Sequence, residues 1–204
     1  DNEYTPTQIS QFHFNAFQLL LKHGEWLSNQ DTQTQQNILQ NINSIENIEF
    51  AQELIDLAIQ NNATFNFDNT IDPANSLNFD NVEELQNYLN NFNNSVAINL
   101  ETEDNGNNTK TSRFKFDLGM FAYLNVSVRQ KLQAPSQAYS VENISSSISG
   151  LTLAMEWEQN DDDDLNVSGN IATVTFTGTL SINCFVDGIG VFFSDNVTII
   201  CSFN

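Results

Sequence analysis

Positively charged residues are scarce in this chain. Its 204 residues include 6 Lys and Arg against 26 Asp and Glu, which gives a formal net charge of −20. Proteins bind nucleic acid by neutralising phosphate with Lys and Arg, so a phosphate backbone would repel this protein. An anionic membrane surface would repel it for the same reason. The charge excludes nucleic acid and anionic lipid as partners, and leaves basic proteins, divalent cations and neutral glycans open.

Long apolar runs are also missing. No stretch approaches the roughly 20 apolar residues of a membrane span, so we expect no membrane insertion. No basic segment followed by an apolar one opens the chain, and we expect any signal peptide to have been removed. Asn, Gln, Ser and Thr supply much of the polar surface in place of charge. This composition favours an extracellular or cell-surface location.

Cysteine is rare, with 2 in the chain, and both fall in the last apolar segments. A hairpin that turns at residues 188–190 places Cys184 opposite about Ser194 and Cys201 opposite about Thr177. The two sulfurs then lie roughly 23 Å apart, at ~3.3 Å per strand residue. A disulfide needs Cα atoms within about 7 Å of each other. The spacing therefore predicts two buried free thiols.

Motifs of established catalytic sites are absent. The sequence has no G-x-S-x-G, P-loop, dinucleotide-binding, H-E-x-x-H or C-x-x-C pattern. Both histidines, His13 and His23, fall in the first predicted helix, where His13 between two phenylalanines indicates a packing or surface role. Glu156 and Glu158 flank Trp157 and share a strand face, as a glycosidase carboxylate pair could. The simpler interpretation is two solvated acids.

The first third of the sequence predicts a small bundle of three helices over residues 1–62. The first helix is expected to end at Gly24 as a C-cap, and the second to begin near Asp31. The third carries a continuous apolar stripe. The apolar positions at helical spacing are, in the first helix, Ile9, Phe12, Ala16, Leu19 and Leu20, and in the third, Ile48, Ala51, Leu54, Ile55, Ala58 and Ile59.

The remainder of the chain divides into a linker and a second domain. Residues 63–80 are rich in Asn and Asp, hold a proline and show no period, which predicts a linker. Residues 81–204 begin with an amphipathic helix that carries Val82, Leu85, Leu89 and Phe92 on one face.

After this helix, residues alternate between apolar and polar in a strand-like way. Three sets of apolar positions are each predicted to share one strand face, and the third set is predicted to point inward. The sets are Met120, Ala122, Leu124, Val126 and Val128; Leu151, Leu153, Met155 and Trp157; and Val174, Phe176, Leu180, Ile182, Cys184 and Val186. Short turns between such segments favour antiparallel pairing. We therefore expect an α+β fold, in which a small N-terminal helical bundle is followed by a helix-backed antiparallel β-meander.

The acidic run DDDD at residues 161–164 is the one candidate metal site. Asp162, Asp164 and Asn166 have the D-x-D-x-N spacing of calcium loops. Val167 and Thr173 occupy the positions where the EF-hand pattern needs Gly and Glu, so that pattern fails. The two interpretations are a solvated hairpin turn and a weak calcium site formed by these three residues.

Two further surface rows have competing interpretations. Five of the six basic residues fall within residues 110–131, where they could form cross-strand pairs with Glu101, Glu103 or Glu156, or a docking strip for an acidic partner. They are Lys110, Arg113, Lys115, Arg129 and Lys131. The outward row Thr173, Thr175, Thr177, Thr179 and Ser181 fits the solvent face of a half-buried strand, since neighbouring strands lack the matching rows that ice binding requires.

The N-terminal third resembles a helical segment found in large secreted cell-surface proteins of flavobacteria and related Bacteroidota. The resemblance covers residues 12–60 and consists of a tryptophan (Trp26), a short Gln/Asn-rich helix and the stretch EFAQELID at residues 49–56. It implies a secreted or surface-displayed protein with a variable C-terminal domain. No functional residue is implied by it.

These observations predict an acidic, extracellular, non-enzymatic binding or assembly module. Its partner would be another protein or a further copy of itself, with a glycan as an additional candidate and no cofactor beyond calcium. The alternatives are a secreted effector or hydrolase with a site built from scattered residues, and a structural subunit of a filament or shell. A binding module should show an exposed apolar patch or a free sheet edge. An enzyme should show a deep pocket with convergent polar groups.

Overall fold

The computed structural model describes residues 6–42, 45–93, 97–133, 138–168 and 171–203. The chain forms two compact units. The first consists of residues 1–86 and 182–195, and the second of residues 87–181 and 196–204. Both units therefore include part of the C-terminal hairpin. These boundaries differ from the predicted division at residues 62 and 81.

Four α-helices lie within the described ranges: α1 Pro6–Ser28, α2 Thr32–Asn41, α3 Ile45–Asn61 and α4 Val82–Asn93. The backbone of His23 is non-helical at φ −128° and ψ 17°, and α1 continues beyond it to Ser28. The helix end predicted at Gly24 therefore falls one residue from a kink that joins two helical segments, and the chain continues as helix beyond it. α2 begins next to Asp31, as predicted, and Asp31 caps it by accepting a hydrogen bond from the Thr34 backbone N–H at 2.9 Å.

The three N-terminal helices pack around a mostly apolar core in the first unit. Leu19 of α1, Ile38 of α2 and Leu54 of α3 are fully buried. Trp26 stacks on Phe65, with ring centroids 5.9 Å apart. The predicted stripe on α3 is confirmed except at Ile59, which is exposed.

Nine β-strands follow or interleave with the helices in the described part of the chain. They are β1 Thr64–Phe67, β2 Leu77–Phe79, β3 Ile98–Gly106, β4 Thr109–Gly119, β5 Ala122–Gln133, β6 Ala138–Gly150, β7 Met155–Ser168, β8 Ile171–Val186 and β9 Ile189–Phe203.

The described strands form two sheets instead of the single meander that the sequence predicts. One is an antiparallel meander in the order β3-β4-β5-β6, and the other has the order β1-β9-β8-β2, with β7 also paired to β8. β1 pairs antiparallel with β9, whereas β2 pairs parallel with β8. The stretch 63–80, interpreted as a linker, therefore supplies two strands. They are only 4 and 3 residues long, too short to show a period.

The amphipathic helix predicted at residues 81–93 is present as α4, and its apolar face is buried. Val82, Leu85, Leu89 and Phe92 are each at most 8% exposed. In the second unit, the Tyr88 hydroxyl donates a hydrogen bond to the Leu118 carbonyl at 2.7 Å. This bond ties α4 to the end of β4.

The C-terminal hairpin turns at Asp187 and Gly188, so its register differs from the predicted one by about three residues. Cys184 lies against Val191, with its thiol 3.3 Å from the Val191 carbonyl, and not opposite Ser194. Both cysteines are nevertheless buried and free, as predicted. The alternation of β8 is also confirmed, because its even-numbered positions from Ala172 to Val186 are buried.

Candidate functional site

Four large apolar side chains are exposed in two neighbouring segments of the second unit. Met120 and Phe121 form the turn between β4 and β5, and Leu151 and Leu153 lie between β6 and β7. Their exposed fractions are 51%, 76%, 62% and 77%, respectively. We call these four residues the apolar tip. Met120, Leu151 and Leu153 were predicted to lie on the apolar faces of strands, and this prediction was wrong, because all three lie outside the strands and are exposed.

Backbone contacts hold the two segments of the tip together. The Leu151 N–H donates to the Phe121 carbonyl at 3.2 Å. Gly150, with φ +93°, passes so close to this carbonyl that an added Cβ would lie 2.0 Å from its oxygen. No other residue type fits at Gly150, since both the φ angle and the space exclude a side chain. The tip is therefore a defined structure.

The turn at Met120–Phe121 has an unfavourable backbone conformation for its residues. Both have positive φ, at 51° and 63°, which is the pattern of a type I′ turn. The same pattern occurs at Asn107–Asn108 and Asp187–Gly188, which are residues that tolerate it. Holding Met and Phe in this region costs on the order of 1 kcal/mol or more per residue. Strained backbone of this kind is found more often at functional sites than elsewhere.

The base of the tip is well braced. Asp117 accepts a hydrogen bond from the Gly119 N–H at 2.8 Å, immediately before the turn. Below it, the Tyr88 ring approaches Gly119, where an added Cβ would meet the ring at 3.3 Å. These contacts support the strand end that carries the tip.

The acidic run lies within strand β7, so the predicted hairpin turn at this position was wrong. β7 pairs with β8, and acidic side chains on such an outer strand discourage unwanted pairing. Asp164 and Asn166 are exposed, whereas the Asp162 side chain lies outside those that the structure describes. On a strand, residues two apart share a face some 6–7 Å from one another instead of curling around one ion. The described residues include no cluster of three or more potential metal ligands.

Three of the five basic residues of β4 and β5 form internal ion pairs, the arrangement that the first of the two interpretations predicts. Arg113 donates to Glu101 and Glu103, and these hydrogen bonds raise the pKa of Arg113. Arg129 and Lys131 both pair with Glu142 instead of Glu156. These ion pairs favour internal pairing over a docking strip for Arg113, Arg129 and Lys131.

A shallow groove of about 350 Å³ crosses the face of the four-stranded sheet that carries these pairs. It is lined by Arg113, Asn125, Ser127, Ser145 and Ser147, among others. The nearby Tyr123 ring is covered on one face by the Lys115 ammonium, 3.6 Å from the ring centroid. This cation–π contact occupies one face of the ring.

The histidines are far from the tip in sequence and belong to the first unit. His13 is exposed. His23 is 5% exposed, and its Nε2 lies 3.8 Å from an Asp56 carboxylate oxygen. Burial lowers the pKa of His23, while Asp56 raises it and Lys22 lowers it further.

No protein-family model, curated protein sequence or solved structure matches the chain. Among the described residues, no helix has the length and apolar character to cross a membrane.

Proposed function

We propose that the chain is a non-enzymatic binding or assembly module of an extracellular or cell-surface complex, and that the apolar tip is its contact with the partner. Single exposed apolar residues are ordinary on protein surfaces, whereas a contiguous group is typical of an interaction site. The tip provides four such residues in two segments joined by a backbone hydrogen bond.

The observation that carries the proposal is the strained Met120–Phe121 turn. A turn selected for stability would have Asn-Gly or a similar pair, as the other two turns of this type approximately do. Here the chain retains a sulfur-containing side chain and an aromatic ring instead. Aromatic and methionine side chains are enriched at the centres of protein interfaces. The extracellular location is supported by the polar, carboxamide-rich composition and by the resemblance of residues 12–60 to surface proteins.

Site-specific photocrosslinking tests this function when it is carried out in the cells or medium in which the protein naturally occurs. A photoreactive phenylalanine analogue replaces Phe121, and in a matched control it replaces Asn108, which occupies the equivalent position of another type I′ turn. We expect a discrete adduct from position 121 that an excess of unlabelled protein suppresses. The Met120→Asn/Phe121→Gly variant should fail to suppress it. Equal adducts from both positions, or none from position 121, would contradict the proposal.

A further inference from the structure

A second group of exposed apolar side chains lies on helix α1, in the first unit. Phe14, Phe17, Leu20 and Leu21 are 54%, 59%, 50% and 70% exposed. Their spacing of three and four residues places them along one side of the helix. We call these residues the α1 stripe. The other side of α1 is already used for folding, since Asn15, Leu19, His23 and Leu27 are buried.

The α1 stripe lies in a helix with little acidic character, although the chain as a whole is strongly acidic. α1 contains a single acidic residue, Glu25, whereas the whole chain contains 26. The tip has a different setting, because the exposed acids Asp117 and Glu156 flank its two segments. A contact between two tips would bring these carboxylates together, which is unfavourable. A contact between a tip and an α1 stripe avoids that repulsion.

We propose that the apolar tip of one copy docks on the α1 stripe of a second copy. This inference rests on the proposed function and names the partner of the tip. The contact is heterologous, since it joins two different surfaces of the same chain. A pair joined in this way retains one free stripe on the first copy and one free tip on the second, so the contact repeats into a closed ring or an open filament.

The size of the two patches predicts a weak contact. Eight half-exposed large side chains bury roughly 100 Å² each, or about 800 Å² in total, which is below the ~1,200 Å² of the smaller stable interfaces. Association should therefore depend on protein concentration. It should also strengthen as salt is added, because each copy carries a net charge of −20 that salt screens. Binding to a basic partner would weaken with salt instead.

Mixing two variants tests the heterologous geometry. The tip variant Met120→Asn/Phe121→Gly removes the apolar side chains and suits the turn. The stripe variant Phe17→Gln/Leu21→Gln changes exposed positions to a good helix former. Sedimentation velocity should show concentration-dependent oligomers for the unmodified protein and monomers for each variant alone. An equal mixture should form one-to-one dimers and nothing larger, because only one intact tip and one intact stripe can meet.

Several results would overturn this inference. An unmodified protein that stays monomeric at its highest soluble concentration, with or without salt, excludes self-association. A stripe variant that still dimerises alone shows contacts between tips, and a tip variant that does so shows contacts between stripes. Loss of association in both variants without recovery in the mixture also contradicts the proposal. Circular dichroism of both variants controls for unfolding.

The photocrosslink at position 121 separates this inference from the proposed function. An adduct with α1 of a second copy supports both. An adduct with a different protein, from a chain that is monomeric in solution, supports the proposed function and overturns self-association. If no adduct forms and the chain does not self-associate, both proposals fail.

Discussion

Gly178 in strand β8 lies against the indole ring of Trp157. An added Cβ would meet the ring at 2.3 Å and the Glu158 carbonyl oxygen at 2.8 Å. The Trp157 ring is fixed from its other end, because its Nε1 donates to the Ser146 hydroxyl at 2.8 Å. The ring can therefore move little to accept a larger residue at position 178.

We expect Gly178→Ala to lower the free energy of unfolding by about 2 kcal/mol or more, because it overpacks the contact between Trp157 and β8. Chemical denaturation measures the change. Gly24→Ala in α1 is the control, since nothing lies within 4 Å of its added Cβ and alanine favours a helix. A neutral Gly178→Ala would show that Trp157 is free to move.

His23 should make the stability of the protein depend on pH. Its folded-state pKa is lowered, chiefly by burial, so the unfolded chain binds the proton more tightly. As the pH falls below the ordinary histidine value of about 6.5, the unfolded state gains the proton first and stability is lost. The unfolding free energy of the unmodified protein should therefore fall more steeply than that of His23→Gln. His13→Gln, at an exposed position, should keep the steeper slope.

Both thiols should be inert in the folded protein. Burial raises the pKa of Cys184 and of Cys201 to about 12, so almost no thiolate is present at neutral pH. A thiol reagent should label neither residue in native buffer and both in denaturant. Rapid labelling of either cysteine without denaturant would show that its strand opens easily.

At the scale of elements, the sequence predicts best those strands whose apolar and polar residues alternate regularly. Ala122, Leu124, Val126 and Val128 point inward from β5, as their period of two predicts. β6 was missed because serines replace the expected apolar residues along much of its length. In such a strand, pairing with its neighbour determines the structure, and a single sequence does not reveal that pairing.

The tip could not be predicted because the turn at its centre lacks any turn-forming residue. Met120 and Phe121 continue an apolar pattern from β4 into β5. The sequence therefore suggests a single continuous strand, whereas the chain reverses direction at these two residues. The glycines at positions 119 and 150 were the available sequence signals for a turn. In the structure both have positive φ and lie beside the tip. Leu151 and Leu153 likewise alternate as a strand would, yet β7 begins only at Met155.

Restoring ordinary turn residues should stabilise the fold. Met120→Asn/Phe121→Gly places an Asn-Gly pair in a type I′ turn and should raise the free energy of unfolding by about 1–2 kcal/mol. Thermal denaturation measures this gain. As a control, Asn108→Gly at the β3–β4 turn should give a smaller increase, because asparagine already tolerates positive φ. A destabilised tip variant would indicate that the apolar side chains support the fold.

For the whole molecule, charge is the dominant feature. A net charge of −20 on 204 residues creates self-repulsion that opposes the folded state, and few cations relieve it. We therefore expect the unfolding midpoint to rise as ionic strength increases from low to physiological values. Sodium and potassium chloride should act equally if screening is the cause. A midpoint that falls with salt would show that the exposed ion pairs of Arg113, Arg129 and Lys131 outweigh the repulsion.

The C-terminal hairpin also determines when the first unit can complete its folding during synthesis. β1 at residues 64–67 pairs with β9 at residues 191–194, and β2 pairs with residues 184–186 of β8. At a synthesis rate of about 5–20 residues per second, β8 and β9 are therefore made on the order of ten seconds after the N-terminal helices and β1. Throughout that interval the aromatic side chains of β1 have no finished sheet to join. A ribosome-stalled chain that stops short of the hairpin should be open to proteases throughout its early part.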